Sequence, residues 1–260
     1  MGLFRMIGRV SEARAKQHQH KLKSQQFAAD YQQLTDGGAE LAKDLYLFLR
    51  PLSLGGAVRF PNLMDQRPTE LVSFEDVLTR ALDVDGRRGA VCVGEGGEKW
   101  GAARIHFEAD WEEKIVPLFQ RAAAIISIPG HTANCLKESY VIRKRPELLA
   151  KTVFIIPPIG SYQPPLFSER MDSDMAEFSA KVVAAHHDSR IGLYLPRAEP
   201  NAGVFVTMDY ASGRVRQQLP WQIYQRTEIN RSRFAGTRQT TTTAYLGIDR
   251  LRAAIRMAQG

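Results

Sequence analysis

The chain is short of several things, and each shortage excludes a class of protein. Only two cysteines occur in 260 residues, Cys92 and Cys135, and both fall in segments that read as buried structure, so a disulfide-stapled secreted scaffold is excluded and a reducing cytoplasmic setting is expected. The longest apolar runs, residues 122–129 and 152–158, fall well below the roughly 20 residues that a bilayer-spanning helix needs. His186-His187 has no further cysteine or histidine at ligand spacing, so no metal site is expected. No nucleophile elbow surrounds any serine. Gly94-Glu95-Gly96-Gly97 lacks the spacing of a dinucleotide fingerprint and carries an acidic residue where a phosphate would sit, so it reads as a loop.

What remains is a globular balance of 44% hydrophobic and 24% charged residues with a formal charge of +7. The excess is consistent with attraction to anionic nucleotides, nucleic acid or acidic lipid but does not choose among them. Three regions are expected. Residues 1–38 form a basic helical extension in which Leu3, Met6, Ile7 and Val10 recur at helical spacing, suiting either peripheral contact with a membrane surface or a solvated, oligomer-forming helix. Asp36-Gly37-Gly38 ends it.

Residues 44–158 alternate short apolar runs with amphipathic stretches, the pattern of βαβ units around a parallel sheet. Strands are expected at 45–49, 90–94, 104–107, 123–128 and 152–156. Between them, Phe74, Val77, Leu78, Ala81 and Leu82 keep helical spacing behind a Ser73/Asp76 cap. Trp111, Ile115, Leu118, Phe119 and Ala122 do so behind Asp110 and Glu113. A further helix over 132–145 is stopped by Pro146. Residues 159–260 form a C-terminal α+β extension packed on this domain. It holds a helix at 172–186, strands at 191–195, 204–208 and 215–219, a hairpin turn at Ala211-Ser212-Gly213, an exposed Arg/Thr-rich loop at 226–243, and a closing helix at 245–258 whose basic face carries Arg250, Arg252 and Arg256.

Ligands of open parallel sheets bind beyond the carboxyl ends of the strands, where strand order reverses. That rule selects the loops opening at Arg50, Glu95, Glu108 and Pro129, and gathers Arg50, Glu95, Gly96, Gly97, Trp100, Asp110, Trp111, Gly130, His131 and Thr132 on one rim. In the helix that follows, His131, Cys135, Glu138 and Ile142 fall near one face. Glu138 is therefore read two ways: as a desolvated carboxyl with a raised pKa, fit for acid, base or nucleophilic work, or as a surface partner of Lys137, Arg143 and Lys144.

The order Trp111-Glu112-Glu113-Lys114-Ile115, an alanine-rich strand, Cys135-Leu136-Lys137-Glu138 and Lys151-Thr152-Val153-Phe154-Ile155-Ile156-Pro157-Pro158 resembles the Toll/interleukin-1 receptor (TIR) domain and the related nucleoside 2-deoxyribosyltransferase-like proteins. Leu49-Arg50-Pro51 adds to the likeness. The resemblance implies a flavodoxin-like α/β fold of five parallel strands, cleavage of an N-glycosidic bond in NAD or a related nucleotide, in bacterial signalling or defence, and Glu138 as the catalytic residue, with NAD as substrate and no cofactor. Arg50, Trp100, Trp111, Gly130, His131 and Thr132 are the expected substrate contacts. Two departures stand: Asn134 where TIR domains carry tryptophan, and no aspartate in the loop ahead of Glu138, where the deoxyribosyltransferases have one. Two other readings remain open: a non-catalytic assembly module forming homo-oligomers, and binding to nucleic acid or anionic membrane through the basic flanks, disfavoured for nucleic acid because no aromatics interleave the charges.

Overall fold

The structure is a computed structural model that describes residues 45–50, 59–61, 71–73, 78, 89–93, 103–105, 111–158, 171–188, 190–199, 202–232, 235–245 and 248–259. Its centre is a seven-stranded mixed sheet. Strands β1 (Leu45–Leu49), β4 (Gly89–Val93), β5 (Ala103–Ile105), β6 (Ala124–Ser127) and β7 (Thr152–Ile156) are parallel, and β8 (Val204–Met208) and β9 (Val215–Pro220) continue the sheet antiparallel. The spatial order is β5-β4-β1-β6-β7-β8-β9. A small antiparallel pair, β2 (Arg59–Pro61) and β3 (Leu71–Ser73), stands apart.

All five expected parallel strands are present, with β1 and β7 at the expected bounds and the others shifted or trimmed at their ends. Their order needs a correction. Counted along the chain they lie third, second, first, fourth, fifth, whereas a flavodoxin-like sheet runs second, first, third, fourth, fifth. The short strand β5 causes the difference by extending the β4 edge, and the other four keep the order second, first, third, fourth. In either description the connections from β1 and β6 leave in opposite directions, so the crevice between these two strands is where order reverses.

Helix α1 (Trp111–Arg121) leads into β6, α2 (Ala133–Arg143) and α3 (Pro146–Ala150) join β6 to β7, α4 (Met171–His187) follows β7, and α5 (Ile248–Gln259) closes the described chain. Strand alternation divides the core into two layers. Tyr46, Phe48, Ile126 and Ile155 face Leu78 and the Leu251, Ala254, Ile255 stripe of α5. Leu47, Leu49, Ile125 and Phe154 face Ile115, Leu118 and Phe119 of α1, Val141 and Ile142 of α2, and Val182 of α4. Both faces of the central strands are covered, which is why they read as unbroken apolar runs. Lys151 locks α1 to the strand layer by donating from Nζ to the Gln120 and Ala122 carbonyls, both at 2.8 Å, at the helix end where carbonyls lack partners.

Beyond Pro158 the sheet and core continue. β8 pairs with β7, Phe205 is fully buried, and α5 packs on the same layer as β1 and β6. Trp221, behind β9, packs 5.8 Å from Phe205 and comes so close to Gly203 that a side chain there would overlap its ring.

Two expectations for this region are overturned. Residues 191–195 are not a strand: Ile191 and Gly192 both donate to the Asp188 carbonyl, and Gly192 has φ +64°. The alternation that suggested a strand is real, since Ile191, Leu193 and Leu195 are buried, but it arises from a turn crossing the end of α4 and not from a ladder. Residues 226–243 are not a loop. Residues 226–232 and 235–243 belong to a two-stranded antiparallel ribbon of β10 (Gln222–Ser232) and β11 (Ala235–Tyr245), because polar threonine is β-branched and suits extended backbone. The hairpin at Ala211-Ser212-Gly213 is as expected, with Gly213 at φ +66°. The expectations for residues 1–38 lie outside the described residues. No described helix is long and apolar enough to cross a membrane.

Candidate active site

The switch point is built from the ends of β1 and β6. Leu49 pairs with Ser127, and the Ile128 N–H donates 2.8 Å to the Leu49 carbonyl, carrying the ladder one step past the strand. Arg50 therefore leaves its strand beside the point where the 129–132 loop begins. Pro129 and Gly130 are buried, His131 is half-buried and Thr132 is exposed. Thr132 holds the N-cap position of α2 with extended backbone, φ −72° and ψ 156°. Its hydroxyl donates 3.1 Å to the Cys135 Sγ and makes no capping bond to the helix backbone.

On α2 the buried residues are Cys135, Ser139, Val141 and Ile142. Glu138 lies between the first two on that sheet-facing margin and is half-buried. Loss of hydration is the one cause acting on its carboxyl, and it pushes the pKa up to about 8. Of the three cations that a surface reading would give it, Lys137 is exposed, and Arg143 and Lys144 are engaged elsewhere. The Arg143 guanidinium sits 5.1 Å over the Tyr210 ring and Nε donates 3.4 Å to the Gly192 carbonyl, while the Lys144 ammonium lies 5.3 Å from the Tyr140 ring. Among the described residues Glu138 has neither an ion-pair nor a hydrogen-bond partner. The carboxyl is thus partly desolvated with no ion-pair partner among the described residues, an arrangement that recurs at working sites.

Cys135, its neighbour, does not fill that role. Burial first, and the nearby Glu138 charge after it, raise its thiol pKa to about 11, so it carries no thiolate near neutrality. His131 packs edge-on against Phe178, with ring centroids 5.0 Å apart. Its Nδ1 is buried with no partner among the described residues.

The structure also brings together a pair that sequence reasoning missed. The Ser139 hydroxyl lies 2.9 Å from His186 Nε2, while His186 Nδ1 lies 2.8 Å from the Val182 carbonyl. A carbonyl only accepts, so the ring proton sits on Nδ1 and Nε2 accepts from the serine. Burial lowers the His186 pKa and keeps the ring neutral. This bond fastens α2 to α4 in the turn that carries Glu138. Ser139 and His186 are 47 positions apart, and no local pattern joins them; the only signal was two polar residues on otherwise apolar helix faces.

Of the expected contacts, Arg50, Gly130, His131 and Thr132 converge on the β1/β6 rim. Arg50 is half-buried and already has an interaction partner within the protein. Trp111 is the first residue of α1 and its side chain lies outside the described set, as do Trp100, Glu95, Gly96, Gly97 and Asp110. Beside the end of β6, Ile128, Pro129, Ile156, Phe178, Val182 and Pro196 line an apolar cleft of ≈ 20 Å³. A cleft of that size has room for about one water molecule, against roughly 300–1,000 Å³ for a small-molecule site. The described residues supply one wall of a site, not a chamber. No family model, characterised protein or solved structure matches the chain.

Proposed function

We propose that the chain is a TIR-like domain that cleaves the N-glycosidic bond of NAD or a related nucleotide, with Glu138 as the group facing the reacting ribose. The observation that carries this reading is the unpaired, desolvated Glu138 carboxyl on the helix that leaves the sheet where strand order reverses. In NAD the nicotinamide ring is cationic and leaves neutral: the C1′–N bond breaks with its electron pair going to the ring nitrogen, water adds to C1′, and one proton is released. Positive charge develops on the ribose as the bond lengthens, and a carboxylate held out of water opposes it more strongly than one in bulk solvent. A carboxyl titrating near 8 is mostly protonated in the free protein at neutral pH, and an approaching pyridinium favours its ionised form. Arg50 and the α2 amino end, at the same rim, suit the anionic pyrophosphate.

The test is incubation of the full chain with NAD, its phosphorylated form and nucleosides, followed by product analysis, with Glu138→Gln as comparison. Free nicotinamide or base is expected from the wild type, with a loss of about 10²-fold or more in the variant. A folded Glu138→Gln protein as fast as wild type overturns the role of Glu138. A wild type inert toward every substrate overturns the enzyme reading and leaves the assembly module.

A further inference from the structure

Among the described residues, the large side chains of apolar type left exposed are three tyrosines: Tyr140 at 44%, Tyr194 at 42% and Tyr210 at 44%. Each carries a cation against its ring. The Lys144 ammonium lies 5.3 Å from the Tyr140 centroid, the Arg143 guanidinium 5.1 Å from that of Tyr210, and the Arg214 guanidinium 5.4 Å from that of Tyr194. These are distances at which the ring quadrupole holds a cation in place.

The three pairs form one continuous surface. Tyr140, Arg143 and Lys144 neighbour one another at the end of α2. Arg143 Nε donates 3.4 Å to the Gly192 carbonyl, and that carbonyl packs directly against Gly213. The Gly213 carbonyl in turn accepts from the Tyr194 N–H at 2.8 Å, which brings Tyr194 beside Arg214. His187 packs edge-on against the Tyr194 ring, with centroids 4.4 Å apart. Two carboxylates share this surface, and both are bonded within their own turns. Asp209 accepts from the Ser212 N–H at 2.8 Å and its hydroxyl at 2.6 Å, and Asp188 accepts from the Arg190 N–H at 3.0 Å. Counting Arg190 with Arg143, Lys144 and Arg214, four cations stand against these two carboxylates, a positive balance.

We propose that this surface binds single-stranded nucleic acid, with the tyrosine rings stacking bases and Arg143, Lys144 and Arg214 meeting phosphates. Every base has a π-face to offer a ring, whereas a duplex keeps its bases stacked on one another, so exposed rings favour a single strand. An arginine held against a ring still presents its planar fork of donors at the edge, the geometry that suits phosphate. An acidic peptide would satisfy the cations and leave the rings without a matching group. The alternation of rings and charges is absent from the linear sequence and is made by the fold, from residues 140–144, 194 and 210–214. Tyr140 leaves α2 about 200° around the helix from Glu138, so this surface is separate from the glycosidic chemistry and does not rest on it.

The experiment follows the fluorescence anisotropy of a labelled oligothymidylate of about 12 nucleotides as the full chain is added. Wild type is expected to bind it, with log K falling against log salt at a slope near −2, about 0.7 for each of three phosphates. A duplex of the same length is expected to bind at least about tenfold more weakly. Tyr140→Ala/Tyr194→Ala/Tyr210→Ala is expected to lose more than about tenfold in affinity with the slope unchanged, and the three corresponding phenylalanine substitutions, which keep the rings, to retain binding. Lys144→Ala/Arg214→Ala is expected to flatten the slope by about 1.4. Arg256→Ala, exposed on α5, is expected to bind as wild type. No binding at low salt overturns the proposal, as does a folded triple alanine variant that binds as wild type, or a duplex bound as tightly as the single strand. An affinity that depends on Arg256 instead of the tyrosines moves the site elsewhere and overturns it too. Polyglutamate that competes as well as unlabelled oligothymidylate assigns the surface to acidic peptides, which also overturns it. Should the triple alanine variant not fold, Lys144→Glu/Arg214→Glu, which alters exposed side chains alone, decides: lost binding supports the proposal and retained binding overturns it.

Discussion

Replacing Glu138 with glutamine should stabilise the protein, and by an amount that depends on pH. Between the ordinary carboxyl value of 4.5 and the folded value of about 8, the native state holds a proton that the unfolded chain has released. Wild-type stability therefore falls as pH rises through that window and levels off above about 8. At about 1.4 kcal/mol per pKa unit, a displacement from 4.5 to about 8 corresponds to about 5 kcal/mol as an upper figure. Glutamine keeps the shape and carries no charge, so it escapes this cost. Urea unfolding of both proteins at pH 4, 7 and 9 should show nearly equal stability at pH 4 and an advantage for glutamine that grows with pH toward a limit of about 5 kcal/mol at pH 9. The difference between the two proteins cancels every group they share, His186 included. A difference that does not change with pH, or a glutamine variant less stable at pH 9, refutes the picture of a desolvated, uncompensated carboxyl.

Ser139→Ala should lower stability by about 1 to 2 kcal/mol in thermal or urea melts, because it leaves His186 Nε2 buried without its donor; an unchanged midpoint contradicts the bond. The His186 ring titrates below its ordinary 6.5, so the native state resists a proton that the unfolded chain accepts. Stability should fall as pH drops below about 6.5, and His186→Gln should flatten that acid limb. A limb unchanged by the substitution assigns it to other groups. Gly213→Ala should cost more than about 1 kcal/mol in a melt, since the residue sits at φ +66° and a Cβ there would run into the Gly192 carbonyl; a neutral result refutes that turn geometry.

The sheet was legible where periodicity had one cause. β1 and β7 are covered on both faces and appear as short uninterrupted apolar runs, and the Ile115, Leu118, Phe119 stripe matches the face of α1 that is buried. Periodicity misled at residues 191–195, where alternate burial comes from a turn and from the Tyr194 N–H donating to the Gly213 carbonyl. It was silent over 226–243, because the threonine- and arginine-rich residues there offer no apolar alternation. Strand order was beyond reach as well, since nothing in the residues 103–105 says on which edge they pair. At the site, the position of Glu138 on the sheet-facing margin followed from helical spacing. Its lack of a counter-ion did not, because that depends on Arg143 and Lys144 being drawn to Tyr210 and Tyr140.

The most direct measurement is the titration of the Glu138 side-chain carboxyl by carbon-13 NMR, assigned by its disappearance in Glu138→Gln and followed with and without NAD. A midpoint near 8 is expected in the free protein and a lower one when the cationic nicotinamide is bound. A midpoint near the ordinary 4.5 in the free protein, unmoved by NAD, contradicts it.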